Sequence, residues 1–261
     1  MRRVKLASMD PGTEEELEGG NVAGSVVRVG MTVRKPATES TPAVHALLDH
    51  LADAGFDGAP RALGYDEAGR QVVEYIPGDM AYDLPALTLG ELRRVGRLIR
   101  RLHDVVETFT APRGVVWNVV IPPDRQDLVC HNDLAPWNLV CNGERWAFID
   151  WDGAGPGSRL WDLAYAVHGF VPMVSGGDPA VDGIRLRALA DGYGLTTAER
   201  TALPELIEAH TRGMDDLLRS SAATGVQPWA RLYDEGHADH WGPAADYVGA
   251  HLEDWRAALL D

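Results

Sequence analysis

No stretch of this 261-residue chain approaches the roughly 20 consecutive apolar residues that a membrane-spanning helix needs, so a membrane is not expected as a partner. The opening segment, MRRVKLASMDPGTEEE, has basic residues but lacks the apolar centre of a secretory signal, and cytoplasmic residence is the expectation. Cysteine is scarce as well. Only Cys130 and Cys141 occur, both in apolar strand-like runs, which points to buried reduced thiols rather than a disulfide or a metal pair. Basic charge is outnumbered, with 24 Lys and Arg against 39 Asp and Glu and a net charge of −15. Such a surface repels a polyanion and argues against nucleic acid as a partner. Repeats and low-complexity tracts are missing too. An apolar content of 45% excludes a disordered chain, and the length suffices for a substantial core in one two-lobed unit or two domains.

The chemistry is concentrated in one segment. Residues 131–150, HNDLAPWNLVCNGERWAFID, place an Asp two after a His, an Asn five after that Asp, and a second Asp twelve after the Asn. Magnesium-assisted phosphoryl transfer needs a carboxylate to take the proton of a hydroxyl, and oxygen ligands that hold the metal against the phosphates. Asp133, Asn138 and Asp150 are the candidates. Residues 127–130, 138–141 and 145–149 read as three short strands, the last two joined by the Asn142-Gly143 turn. Asp133 then follows one strand on a loop stiffened by Pro136, Asn138 opens the next, and Asp150 closes the third. Asn138 and Asp150 are expected near the same end of paired strands. Asp152 stays open between binding substrate or metal and capping the turn at 153–157.

His131-Asn132-Asp133 through Asn138, followed by IDWD at 149–152 and DLA at 162–164, resembles the aminoglycoside phosphotransferase family, distant relatives of the protein kinases. The matching kinase strings are H-R-D-x-x-x-x-N and D-F-G. The resemblance covers nearly the whole chain, with its strong motifs confined to residues 131–164. It implies an α+β, bilobal protein-kinase-like fold, with a small β-rich nucleotide-binding lobe at 1–77 and a larger, mainly helical catalytic and substrate-binding lobe at 78–261. It further implies Asp133 as catalytic base, Asn138 and Asp150 as Mg2+ ligands, His131 as a brace behind the loop, and Asp162 as a buried structural partner. ATP is the implied phosphate donor, with GTP left open.

In the first third, EGGNVAG at 18–24 offers Gly19, Gly20 and Gly24 as a loop whose backbone N–H groups approach phosphate, although a surface turn would look the same. Residues 25–29 and 32–35 read as hairpin strands joined at Gly30-Met31. Arg34 and Lys35 compete as the cation for the α- and β-phosphates. Strand alternation sends them to opposite faces, and Arg34 is slightly preferred. Thr41 and Pro42 then read as N-cap and first residue of a helix with Val44, Leu47, Leu48 and Leu51 on one face. Kinase-like folds usually carry a Glu on this helix to pair with the strand cation. None occurs between Ser40 and Gly55; aligning the leucines puts Val44 in its place, with His45 or Asp49 as substitutes. Residues 61–79 read as two strands around an EAG turn, and the change of direction at Pro77-Gly78 makes Glu74, Tyr75 and Ile76 the hinge candidates for adenine.

Thr88 with Glu91, and Thr196 with Glu199, mark capping boxes of helices; Pro204 is expected to kink the second or start it anew. His103 reads as structural, and residues 160–167, LWDLAYAV, as a buried helix. From Glu205 to Asp261 eleven acids face four arginines, with Trp229, Trp241 and Trp255 among them. Such a stretch suits a polycationic, hydroxyl-rich ligand, or else forms a solvated acidic face over a tryptophan-filled core. The expected acceptor is the hydroxyl of a small molecule, aminoglycoside-like or another amino alcohol or sugar. No A-P-E string follows Asp150, which speaks against a protein acceptor. Ser/Thr phosphorylation in a maturing peptide, and a nucleotide-binding partner protein without turnover, remain as alternatives.

Overall fold

In a computed structural model the chain is described over residues 13–17, 25–143 and 145–261. β1 (Glu14–Glu16) pairs with β2 (Val27–Val29), which turns at Gly30, φ 59°, into β3 (Thr32–Lys35). After α1 (Thr41–Asp53), a second hairpin of β4 (Ala62–Tyr65) and β5 (Gln71–Glu74) completes an antiparallel sheet of order β1-β2-β3-β5-β4. The turn of this hairpin is tied by the Asp66 carboxylate, which accepts from the N–H groups of Ala68 and Arg70. Register places Lys35 opposite Gln71 and Arg34 opposite Val72.

α1 begins one residue earlier than its sequence pattern indicates. Ser40 occupies the cap position because the Thr41 hydroxyl is engaged elsewhere, accepting from the Thr38 N–H at 2.8 Å. Val44, Leu47, Leu48 and Leu51 are buried together, as the periodicity requires.

β6 (Asp79–Met80) leads into the long α2 (Leu89–Val106); β7 (Leu128–Cys130), β8 (Leu139–Asn142), β9 (Arg145–Phe148) and β10 (Gly155–Gly157) follow. They make two small antiparallel sheets, β6-β8-β9 and β10-β7. The rest is helical: α3 (Arg159–Phe170), α4 (Pro179–Tyr193), α5 (Thr197–Thr224), α6 (Trp229–Asp234), α7 (Ala238–Ala250) and α8 (Leu252–Leu260). Both capping boxes form, each Thr hydroxyl accepting from the Glu N–H while the Glu carboxylate returns to the Thr N–H. α5 runs through Pro204 as one helix. It is packed by α3, α7 and α8, and that burial outweighs the roughly 3 kcal/mol cost of an interior proline.

One hydrophobic core runs from the leucines of α1 through Leu92, Val95, Ile99 and Leu102 of α2 to α3, α4 and the β8-β9 hairpin. Where α2 and α4 cross, a Cβ on Gly192 would strike the main chain of Arg93, and one on Gly96 the main chain of Leu189 and Tyr193. Backbone cannot step aside as a side-chain tip can. Gly192→Val is therefore expected to cost about 3 kcal/mol, read as a lowered urea midpoint without loss of cooperativity. Cys130 and Cys141 are free and buried, and burial pushes the Cys141 thiol up to about 11. Among the described residues no helix is long and apolar enough to cross a membrane.

Candidate active site

The site is organised around Asp162, in the first turn of α3 and fully buried. One of its oxygens accepts the N–H of His131 at 3.0 Å and His103 Nε2 at 3.1 Å, and the other accepts the N–H of Asn132 at 2.8 Å. Burial alone would raise its pKa, but the hydrogen bonds from His103 and the loop outweigh that and hold the carboxyl below its ordinary range. The far side of the His103 ring meets the Tyr193 hydroxyl at 2.8 Å, so the α2-α4 crossing and the loop share one polar chain. Asn132 is held in a left-handed conformation, φ 62°, with its amide donating to Gly153 O at 3.0 Å.

His131 is buried between Trp151 and Phe148. Its Nδ1 accepts the Asp133 N–H at 3.2 Å and its Nε2 meets Ile149 O at 3.1 Å. The pair of bonds assigns a neutral ring with the proton on Nε2, and burial lowers its pKa in the same sense. His131 thus fastens the loop to the end of β9.

The Asp133 carboxyl, half-buried, is faced by Tyr165 of α3 and by Asn138. Burial, reinforced by the nearby Asp150 charge, raises its pKa above that of an ordinary aspartate. Asn138 is buried and donates Nδ2 to Asp133 O at 3.0 Å, which leaves its amide oxygen for a cation. The Ile149 N–H donates to Asn138 O at 2.8 Å, so Asn138 and Asp150 do lie at one end of the β8-β9 pair. Asp150 is itself left-handed, φ 59° and ψ 67°, a sparsely populated conformation for a side-chain-bearing residue. Asn138 and Asp150 suit a hard cation that keeps water and phosphate in its shell, as magnesium does. No cage of three or more His, Cys, Asp or Glu is gathered among the described residues.

The preference for Arg34 is overturned. Arg34 points to the opposite face of β3 and pairs with Asp66 at 3.6 Å, whereas the buried Lys35 reaches Asp150 Oδ1 at 2.7 Å and Asp152 Oδ2 at 2.9 Å. Burial opposes the Lys35 charge, but the two carboxylates prevail and raise its pKa. Asp150, which burial would raise, is lowered by the Lys35 ammonium. Asp152 also accepts Gln71 Nε2 at 3.3 Å, so it binds across to the sheet instead of capping its own turn. The placement of Val44 at the missing Glu's position is corrected as well. Val44 belongs to the hydrophobic core, and the α1 side chain within the field of Lys35 and Asp152 is the buried His45.

Of the hinge candidates, Glu74 pairs with Arg145 at 2.8 Å, the Tyr75 N–H donates to Met31 O at 2.9 Å, and Ile76 is buried against Val140 and Ala147. Among the described residues the Ile76 N–H makes no backbone bond. Gly19, Gly20 and Gly24 lie outside the described residues. The three C-terminal tryptophans do not form one acidic aromatic pocket. Trp255 is fully buried in the main core, while Trp241 and the half-buried Trp229 join a second cluster with Ala135 and Tyr165 beside the loop. Several acids of this stretch are paired with arginines, such as Asp215 with Arg219 and Glu208 and Asp246 with Arg212.

Two participants escaped the sequence reading. Tyr165 lies three residues after Asp162, on the same face of α3, and that helical spacing was the available signal. Gln71, a polar residue opening an apolar strand, was the other.

A model of the phosphotransferase enzyme family matches residues 116–203, the stretch that contains Asp133, Asn138, Asp150 and Asp162. Beyond that stretch, the chain is 30% identical over 258 residues to the trifolitoxin immunity protein of Rhizobium leguminosarum bv. trifolii, covering 93% of this chain and 97% of that protein. The chain belongs to the phosphotransferase enzyme family. Solved structures similar to this phosphotransferase include amicoumacin kinase hAmiN in complex with AMP-PNP, Ca2+ and Ami, with TM-score 0.65, 13% identity, and 94% of this chain and 89% of that one covered. Another is the microcompartment-associated aminopropanol kinase, with TM-score 0.63, 18% identity, and 95% and 94% covered. At such identities the likeness concerns the fold, and it bears out the bilobal kinase-like architecture of a small β-rich lobe and a larger helical one.

Proposed function

We propose that this phosphotransferase moves the γ-phosphoryl group of ATP to a hydroxyl of a small molecule. The observation that carries the reading is the convergence of Lys35, Asp133, Asn138 and Asp150 from two sheets and the loop between β7 and β8. Asp133 takes the proton of the acceptor hydroxyl as its oxygen bonds to the γ-phosphorus. The bond from that phosphorus to the bridging oxygen breaks, and ADP leaves. Lys35 holds the α- and β-phosphates, and the Ile76 N–H pairs with the adenine edge. Asn138 and Asp150 are the residues that would hold a magnesium ion, which when bound neutralises charge on the phosphates. Most of the acceleration on this scheme comes from positioning and charge, since no covalent bond to the protein forms. Residues 1–77 serve the nucleotide and 78–261 the chemistry and the acceptor.

The relatives' names bear on the acceptor, and of the compounds they print aminopropanol is a small amino alcohol. One is an immunity protein against trifolitoxin, and the structural neighbours are kinases of amicoumacin and aminopropanol. A toxic compound with a free hydroxyl, disarmed by phosphorylation, would join the immunity protein's name to a kinase site. The test is incubation with ATP or GTP, magnesium and a panel of aminoglycosides, amino alcohols, sugars and hydroxyl-bearing toxins. The expected result is ADP or GDP release with a mass gain of one phosphoryl group on at least one acceptor. Nucleotide binding with no acceptor modified across the panel would favour a non-catalytic partner protein instead.

A further inference from the structure

A cation that holds nucleotide phosphates needs a carboxylate partner of its own, one that is not drawn off by a metal. Asp150 gives Lys35 only its Oδ1, and a divalent ion bound by the same carboxylate would compete for its charge and weaken that pair. α1 supplies no acid in its place. Asp49 is solvent-exposed, and the α1 side chain nearest in charge field to Lys35 is His45, whose Nε2 is buried with no hydrogen-bond partner.

Asp152 has what the task requires. Its Oδ2 lies 2.9 Å from Lys35 Nζ, and its Oδ1 accepts Nε2 of Gln71, a side chain only 1% exposed. Gln71 faces Lys35 across the β3-β5 pair and also donates to Pro36 O at 3.3 Å, so the carboxylate is held from the sheet itself. The turn at 151–153 that carries Asp152 is fixed at its other side by Trp151, whose Nε1 donates to Phe148 O at 2.9 Å. We infer that Asp152 is the positioning residue that holds Lys35, doing from the turn after β9 what a glutamate on α1 would do, and so leaving Asp150 to the metal. The inference deepens the proposed function and rests on it for the role of Asp150.

The sequence contains only two lysines, Lys5 and Lys35, which permits a direct readout. Acetylation of Lys35 by N-hydroxysuccinimidyl acetate, followed by peptide mass spectrometry at fixed pH with Lys5 as internal reference, needs neither nucleotide nor turnover. Asp150→Asn is expected to stay within about twofold of wild type, because Asp152 alone keeps the ammonium engaged. Asp150→Asn with Asp152→Asn is expected to react roughly tenfold faster, and adding His45→Glu should restore most of the protection. In a second readout, Asp152→Asn weakens AMP-PNP binding about tenfold without moving the magnesium concentration for half-maximal binding, and His45→Glu recovers it. Equal labelling of Asp150→Asn and the double variant overturns the inference, as does a magnesium shift in Asp152→Asn equal to that in Asp150→Asn. Asp152→Ser supplies the same comparison should Asp152→Asn not melt cooperatively. A wild type that protects Lys35 yet binds no nucleotide would refute the proposed function and leave the anchor standing.

Discussion

Asp133→Asn is expected to lower kcat by about 100- to 10,000-fold, the usual range for removal of a general base, while AMP-PNP affinity changes by less than about twofold. The substitution is isosteric, and the loop does not depend on this side chain. Its backbone is secured by the Asp133 N–H on His131 and by Asn138 on Asp133 O. What the variant loses is the capacity to accept a proton. The wild-type pH profile should show the same group. Burial and the Asp150 charge raise the Asp133 pKa, so kcat/KM falls with acidification through a limb above the ordinary aspartate value of about 3.9. Tyr165 opposes that rise, and Tyr165→Phe is expected to move the limb to still higher pH. A limb at or below the ordinary value, or a variant with near-normal turnover, would remove Asp133 from the chemistry.

Asp162→Ala is expected to cost about 3–5 kcal/mol of folding stability, the range seen when one partner of a buried charged network is deleted. Three donors, the His131 and Asn132 N–H groups and His103, would be left inside the protein without an acceptor. Urea unfolding measures the loss, and turnover should fall with it because the loop carrying Asp133 is no longer held. The pH dependence has a definite sign. The native pKa of Asp162 lies below its unfolded value, so its contribution is complete above the unfolded pKa and fades as pH falls through the native one. Wild type and variant should therefore converge in stability on acidification below about pH 4. A constant gap across that range would mean the network is not charge-dependent.

The elements that local chemistry dictates were legible in the chain itself. The two Thr-Glu capping boxes and the Asn142-Gly143 hairpin depend on neighbours within a few residues, and the loop from His131 to Asn138 was legible by its spacing although its anchors at Ile149, Gly153 and Asp162 are distant. The failures share one cause, which is that facing and packing are tertiary properties. Alternation along β3 says that Arg34 and Lys35 diverge, but only the carboxylates arriving from the far end of β9 say which of them turns inward. The leucines of α1 gave its phase correctly, but which neighbouring side chain faces Lys35 depends on how the helix is docked, and it is His45 rather than Val44. Asp152 looked like a turn residue because its partners, Lys35 and Gln71, lie more than eighty positions away. Of the two readings of Pro204, a fresh helix start is overturned because α5, packed by α3, α6, α7 and α8, continues through it.

The leucines of α1 are buried against α2 rather than against the sheet alone. On its other side α1 meets β4, where the His45 ring lies 5.1 Å from that of Tyr65, so this helix couples the five-stranded sheet to the helical half. A displacement of the five strands against α2 would therefore have to break packing on one side of α1 or the other.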